Sequence, residues 1–274
     1  MTVVLALVTA LAWGTTELLM IRAAKGLPAA TLGLWLMLFG AVFILPIALW
    51  SDPLPSVRDL PIAIAPALIG LAGSFAYWLA LRDGMLSIVS PTVATSGGVG
   101  AVIAITILGE RFSTVGLIGI AVAVAGVVLA TFTRAGTAKG VWWAVLAAVL
   151  LGCYTVTLAA ATERIGPLWS VASYRLTGIL VLLPLVAMSQ PTIGLERPMR
   201  RLVFGAAALE TVGFVAFTSA LDLGPVAVVA VVTAQFSTVA VVLAAVVLHE
   251  RLLPHQWVGI AMMIGATTLL GAMS

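Results

Sequence analysis

The chain has 274 residues, of which 62% are hydrophobic and only 8% are charged, and its mean hydropathy is +1.23. A soluble domain carries about 25% charged residues, so this composition excludes a soluble protein and indicates one that is integral to a membrane. The formal net charge of +3 comes from basic residues that stand singly or in small groups between apolar runs. That distribution sets membrane orientation and does not suggest nucleic-acid binding. The single cysteine, Cys153, excludes an internal disulfide and a multi-thiolate metal site.

Ten apolar runs are each long enough, at about 20 residues, to cross the hydrocarbon core of a bilayer as a helix. They cover residues 2–22, 28–49, 60–81, 86–108, 114–133, 140–161, 168–188, 201–221, 226–248 and 255–273. No basic segment precedes the first run, so it is predicted to be a retained helix rather than a cleaved signal peptide. Lipid offers no partners to free backbone groups, and the ten runs are therefore predicted to form one all-α bundle.

The sequence repeats itself at one constant offset. The stretches that recur are Leu108-Gly109-Glu110-Arg111 as Leu248-His249-Glu250-Arg251, and Gly119-Ile120-Ala121 as Gly259-Ile260-Ala261. We therefore predict two copies of one unit, residues 1–133 and 140–272. Five helices per unit is an odd number, so the second copy enters the membrane in the opposite orientation, as an inverted repeat. Both copies keep the Glu-Arg pair, which we interpret as helix caps and ion pairs that serve the shared fold.

Lys and Arg are unevenly divided between the two faces of the predicted bundle. One face holds Arg22, Lys25, Arg82, Arg134, Lys139, Arg197, Arg200, Arg201 and Arg251, and the other holds Arg58, Arg111 and Arg164. Cytoplasmic loops carry the excess of Lys and Arg, so the first face is predicted to be cytoplasmic and both termini to lie outside the cytoplasm. The expected location is a bacterial-type inner membrane.

Three charged residues stand inside the apolar runs: Glu17, Arg175 and Glu210. A charge at mid-bilayer costs roughly 3 kcal/mol or more, so each is expected to face the bundle interior or water. Glu210 lies about 14 Å deep and Arg175 about 11 Å from the opposite face, so the two can meet near the midplane. Either Arg175 binds a substrate carboxylate and Glu210 a substrate amine, or the two form a buried ion pair between the seventh and eighth helices.

Glu17 lies about 8 Å from the cytoplasmic end of the first helix. It is a candidate for the transport pathway, and the alternative is that it snorkels or pairs with Arg22. A third interpretation concerns protons. Burial penalises the charged form of a carboxyl group, and protonation of Glu17 or Glu210 at neutral pH would couple transport to protons.

Aromatic and hydroxyl side chains cluster at matching places in both halves, as suits a cavity for an amphipathic solute. Together with the charges Arg175 and Glu210, the substrate-binding candidates are Trp13, Tyr77, Trp78, Thr95, Tyr154, Phe214 and Gln235. The alternative interpretation is structural, because hydroxyls also bond to their own helix and aromatic rings also pack between helices.

The fourth run combines Pro91 with Gly97, Gly98 and Gly100. Glycine lets backbones approach closely, and proline removes a hydrogen bond and favours a kink. A soft helix beside the cavity would suit a gate, although close packing alone explains the glycines equally well.

Two five-helix halves, each with a Gly/His-Glu-Arg turn before a Gly-Ile-bearing helix, and the pair Trp13-Gly14 in the first helix resemble the EamA-type transporters. These belong to the drug/metabolite transporter superfamily, and the resemblance covers essentially the whole chain. It implies a central cavity lined by helices one, three and four with six, eight and nine, and export of amino acids, other small metabolites, drugs or sugar-nucleotide compounds. The YddG-type amino-acid exporters match best by length and architecture. Many relatives are drawn with cytoplasmic termini, opposite to the charge count here.

Three functions compete. The first is export of small zwitterionic metabolites, amino acids above all, by alternating access. The second is efflux of lipophilic cations, which predicts that Glu17 or Glu210 is exposed to the cavity and that Arg175 is not. The third is a membrane enzyme or a non-transporting structural protein, but the sequence contains no phosphate-binding loop, nucleophile elbow or zinc motif. We therefore expect a transporter whose partners are a small-molecule substrate and the bilayer, with no enzymatic activity, cofactor or metal.

Overall fold

The structure, a computed structural model, describes residues 1–84, 86–131, 140–189, 194–248 and 253–273. Within these ranges every regular element is a helix. The first half contains α1 (Thr2–Gly26), α2 (Ala29–Ser51), a single 3-10 turn (Val57–Asp59), α3 (Leu60–Asp83), α4 (Leu86–Ala94), α5 (Ser96–Thr106) and α6 (Thr114–Thr131). The second half contains α7 (Val141–Ile165), α8 (Pro167–Ser189), α9 (Arg197–Leu223), α10 (Val226–Thr233), α11 (Phe236–Leu248) and α12 (Pro254–Met273).

Seven stretches of the described chain are long and apolar enough to cross a membrane. They are Thr2–Gly26, Ala29–Ser51, Val57–Asp83, Val141–Ile165, Pro167–Ser189, Arg197–Leu223 and Val226–Leu243. The remaining predicted spans correspond to the pair α4–α5, to α6 and to α12. The prediction of an all-α membrane protein with ten spans, in two inverted five-span halves around a central cavity, is confirmed.

Several helices extend beyond the apolar runs that predicted them. The eighth run was expected at 201–221, whereas α9 already begins at Arg197 with proline in its first turn. Proline is tolerated there because the first N–H groups of a helix have no partner within it. Hydropathy detects only the part of a helix inside the hydrocarbon, so the charged first turn, with Arg197 and Arg200, lies outside the predicted run.

The fourth and ninth spans, predicted as continuous helices, are each broken. The first break lies at Thr95, and the second at Ala234 and Gln235. At each break a backbone N–H reaches back only three residues: Thr95 donates to the Thr92 carbonyl and Gln235 to the Val232 carbonyl, both at 3.2 Å. Thr95 and Gln235 are related by the same offset as Glu110 and Glu250, so the break recurs at equivalent positions of the two copies. The helix continues through Pro91, and the break comes four residues later.

The core of the bundle lies between the two halves. The most extensively packed helix pairs each join one half to the other: α1 with α9, α3 with α7, α2 with α8, and α6 with α12. Small residues allow this close approach, as expected where lipid provides no hydrophobic force between helices. A Cβ atom at Gly213 of α9 would lie 2.5 Å from the indole ring of Trp13, and one at Gly70 of α3 would lie 2.7 Å from the ring of Tyr154.

Glu110 connects the turn after α5 to the other half. Its carboxylate accepts hydrogen bonds from the backbone N–H groups of Val226 at 2.6 Å and Ala227 at 3.0 Å. These are the first residues of α10, so Glu110 caps a helix of the second copy. The interpretation of the Glu-Arg pair as a cap therefore describes Glu110, while Glu250 and Arg251 lie outside the described residues.

A central cavity between the two halves

A cavity of about 110 Å³ lies where the two halves meet. That volume has room for several ordered water molecules or for one small solute. Its walls come from α1, α3, α4 and α5 of the first half and from α7, α9, α10 and α11 of the second. Among the described residues, α2, α6, α8 and α12 contribute nothing to the lining. This is the set of spans that the family resemblance implied.

Aromatic rings form much of the wall. The aromatic lining residues are Trp13, Tyr77, Tyr154, Phe214, Phe217 and Phe236. The ring centroid of Trp13 lies 5.0 Å from that of Phe214, 5.2 Å from that of Phe217 and 6.4 Å from that of Phe236. Trp13 also donates its indole N–H to the Glu210 carbonyl at 3.4 Å. The ring edges and faces thus surround an apolar space into which only a few polar groups project.

Glu17 is one of those polar groups. It lines the cavity from α1, and the residue as a whole is only 2% exposed. Its carboxylate accepts a hydrogen bond from the Tyr77 hydroxyl and another from Ser90 Oγ at 2.9 Å. In the described part of the chain no basic residue forms a salt bridge with it. The alternative in which Glu17 pairs with Arg22 is therefore not what the structure shows.

Arg175 and Glu210 meet as an ion pair, with Nη1 of the arginine 2.9 Å from Oε2 of the glutamate. The Arg175 side chain is 0% exposed, while that of Glu210 is 12% exposed and lines the cavity. Nη2 of Arg175 lies 3.4 Å from Thr211 Oγ1. Its guanidinium carbon stands 5.0 Å from the ring centroid of Phe214 and 5.6 Å from that of Tyr174. Arg175 is thus behind the wall, where it holds one cavity carboxylate and one cavity ring.

Besides Arg175, three of the substrate-binding candidates do not line this cavity. Trp78 is 1% exposed, and its ring lies against Gly33 of α2. Thr95 donates to the Thr92 carbonyl at 2.6 Å and borders a second, much smaller apolar space next to α6. Gln235 donates to Thr267 Oγ1 of α12 at 2.6 Å. Trp78 and Gln235 therefore tie a cavity helix to the outer layer of the bundle, whereas the Thr95 hydroxyl bonds within its own span.

The three glycine candidates of α5 face different neighbours. Gly97 lines the cavity, and a Cβ atom there would lie 2.5 Å from the Ala234 Cβ. Gly98 faces Val124 of α6, and Gly100 faces Ala230. The side chain of Pro91 is outside the described residues.

Several residues that line the cavity are not among the selected site candidates: Phe217 and Thr233 belong to the clusters noted in the sequence, and Phe236 was not noted. A signal for the two aromatic ones was present in the repeat. Phe217 is the counterpart of Tyr77 in the second copy, and Phe236 is the counterpart of Ser96, which also lines the cavity. The repeat offset applied to the candidate Tyr77 selects Phe217.

Two inverted five-span halves that enclose a cavity at their interface are the architecture of a membrane transporter for small solutes. The chain belongs to the EamA-like transporter family, whose sequence model matches residues 1–132 and 138–272. One solved crystal structure superposes with a TM-score of 0.81 over 99% of this chain and 96% of its own, at 16% sequence identity. At that identity the likeness concerns the fold alone. No curated protein matches the chain.

Proposed function

We propose that the protein exports small amines, as organic cations with an apolar body, by alternating access of its two units, residues 1–133 and 140–272. The observation that supports this substrate class is the position of the three buried charges. Glu17 and Glu210 line the cavity, whereas Arg175 does not. This is the arrangement that the cation hypothesis predicted, and it differs from the one that an amino-acid exporter using Arg175 requires.

The electrostatics favour a cation for a second reason. Arg175 and Glu210 compensate each other, which leaves Glu17 as a carboxylate with hydroxyl partners but no described basic partner. A solute ammonium group would supply the missing positive charge, while a solute carboxylate would add a second negative charge to a poorly hydrated site. The ring of Trp13 adds a favourable face for a cation.

The proposed location is a bacterial-type inner membrane, with the Arg-rich face in the cytoplasm and both termini outside. The apolar walls accept the body of the solute, and the cavity volume of about 110 Å³ limits it to a small molecule. The two halves would rock about this site and open it to one side of the membrane at a time.

Uptake by the purified protein in liposomes tests the proposal. The probes are 2-phenylethylamine and phenylalanine, which share one skeleton and differ in the carboxylate. We expect transport of the amine, and we expect Glu17→Gln to reduce it about tenfold or more, since a charge-assisted hydrogen bond contributes about 1.5–3 kcal/mol. Glu163→Gln, at an exposed glutamate near the end of α7, is the matched control. Transport of phenylalanine at the rate of the amine or faster would overturn the assignment, and runs with and without a pH gradient decide on proton coupling.

A further inference from the structure

Two buried hydroxyl groups in the cavity wall have no hydrogen-bond partner in the described part of the chain. They belong to Tyr154 of α7 and Thr233 of α10, each 4% exposed. Both residues line the cavity. A buried hydroxyl without a partner is costly, because folding removes its hydrogen bonds to water and returns nothing. A polar group that arrives in the cavity with the solute would remove that cost.

Other hydroxyls in and around the same cavity are satisfied within the protein. Thr16 and Thr155 line it and donate to the carbonyls four residues earlier in their own helices, at 2.9 Å and 3.0 Å. Tyr77 donates to Glu17. Ser74 Oγ lies 2.8 Å from the Tyr174 hydroxyl oxygen. Tyr154 and Thr233 therefore differ from the other tyrosine and threonines of the wall, because their hydroxyl groups have no hydrogen-bond partner.

Lack of a partner is not by itself a mark of a site. Thr31 and Thr162 also have buried hydroxyls without a partner, but neither lines the cavity. Tyr154 and Thr233 combine the unbonded hydroxyl with a position on the wall where a solute would lie.

We infer that Tyr154 and Thr233 form a hydroxyl subsite that binds an uncharged hydrogen-bonding group of the transported amine, such as an alcohol or a primary amide. The inference rests on the proposed function and narrows its substrate class. A hydroxyl offers one donor and two acceptor positions, so a pair of them suits a group that both donates and accepts. Glu17 belongs to the first half, while Tyr154 and Thr233 belong to the second. A solute bound at both places therefore touches both halves.

The test compares two probes that differ by one such group, 2-phenylethylamine and phenylalaninol, with phenylalanine as the carboxylate probe. For each purified protein the measured quantity is the ratio of the Kd values for the two amines. We expect the wild type to bind phenylalaninol about tenfold more tightly. Tyr154→Phe and Thr233→Val, which remove the hydroxyls and keep the shape, are each expected to lower the ratio several-fold, and the double variant to bring it close to one.

Thr155→Val is the matched control. Thr155 lines the same cavity, but its hydroxyl is bonded to the Leu151 carbonyl, so the ratio should stay at the wild-type value. A ratio taken within one variant does not change when part of the protein is misfolded. Tight amine binding with a ratio unaffected by both substitutions would show that the hydroxyls hold only water and would overturn the subsite alone. Failure of both amines to bind would overturn the subsite together with the proposed function, and a probe order led by phenylalanine would do the same.

Discussion

Glu110 of the first half caps the helix that begins at Val226 of the second half. Both carboxylate oxygens take part, with 2.6 Å to the Val226 N–H and 3.0 Å to the Ala227 N–H. Negative charge at a helix N-terminus is stabilised by the orphan N–H groups and the helix dipole. The capped helix, α10, continues to the cavity residue Thr233. One side chain at the membrane surface thus fixes the position of a cavity wall in the other half.

Glu110→Gln is expected to destabilise the protein by about 1–2 kcal/mol, because the neutral amide has one acceptor oxygen for two N–H groups. The measurement is the unfolding free energy of the purified protein in detergent. Arg111→Gln removes the next charge in the same exposed turn and serves as the control. Equal stability of the two variants would contradict a structural role for this cap.

The spans and the repeat were predictable from sequence because neither depends on the identity of any single residue. About twenty apolar residues cross a bilayer whatever their order, and a constant repeat offset remains visible when only a few positions match. The inverted orientation then follows from the odd number of spans alone. The sequence also indicated that Glu110 caps a helix, but it did not indicate that the capped helix is α10 of the other half.

The cavity lining was harder to predict, because these helices are apolar on every side. With no polar face to indicate direction, Trp78 and Tyr77 on the same helix were equally good candidates for the cavity wall, yet of the two only Tyr77 lines it. The helix break at Gln235 was not predictable because the sequence has no proline or glycine there. Whether Arg175 or Glu210 faces the cavity depends on the direction of each side chain between the packed helices. The sequence gives only the depth of each residue in the membrane.

The buried pair Arg175–Glu210 leads to a prediction about how strongly the two side chains depend on each other for the stability of the protein. Removing one partner of a buried ion pair leaves an uncompensated charge and typically costs about 3–5 kcal/mol, whereas replacing both is often nearly neutral. We expect Arg175→Met to destabilise the protein strongly and the double variant Arg175→Met/Glu210→Gln to recover most of the loss. Unfolding free energies of the wild type, both single variants and the double variant decide this. Additive losses in the double variant would mean that the two residues act independently.

Orientation in the membrane is tested with reporters joined after the last residue. The basic face carries nine Lys and Arg against three on the other face, so both termini are predicted to be outside the cytoplasm. A fused alkaline phosphatase should then be active and a fused green fluorescent protein dark. The opposite pattern would show that the charge count misleads here. In that case the face that holds Glu110 and Arg164 would be the cytoplasmic one.

Gly97 and Gly98 form a matched pair of neighbours with opposite surroundings. A Cβ atom at Gly97 would lie 2.5 Å from the Ala234 Cβ and 2.6 Å from the Ala230 carbonyl oxygen, so no side chain fits without moving α5 away from α10. At Gly98 the nearest atom would be 3.6 Å away, on Val124. We expect Gly97→Ala to lower both stability and uptake.

Gly98→Ala should leave stability unchanged or raise it by up to about 1 kcal/mol, since alanine has the higher helix propensity. Both variants add one methyl group to the same turn of α5, so a difference between them reports the contact with α10 rather than the change in helix propensity. Uptake in liposomes and unfolding in detergent would be measured side by side. If Gly97→Ala behaved like Gly98→Ala, the close approach of α5 and α10 would not be needed for transport, and the gate would have to be sought elsewhere in the bundle.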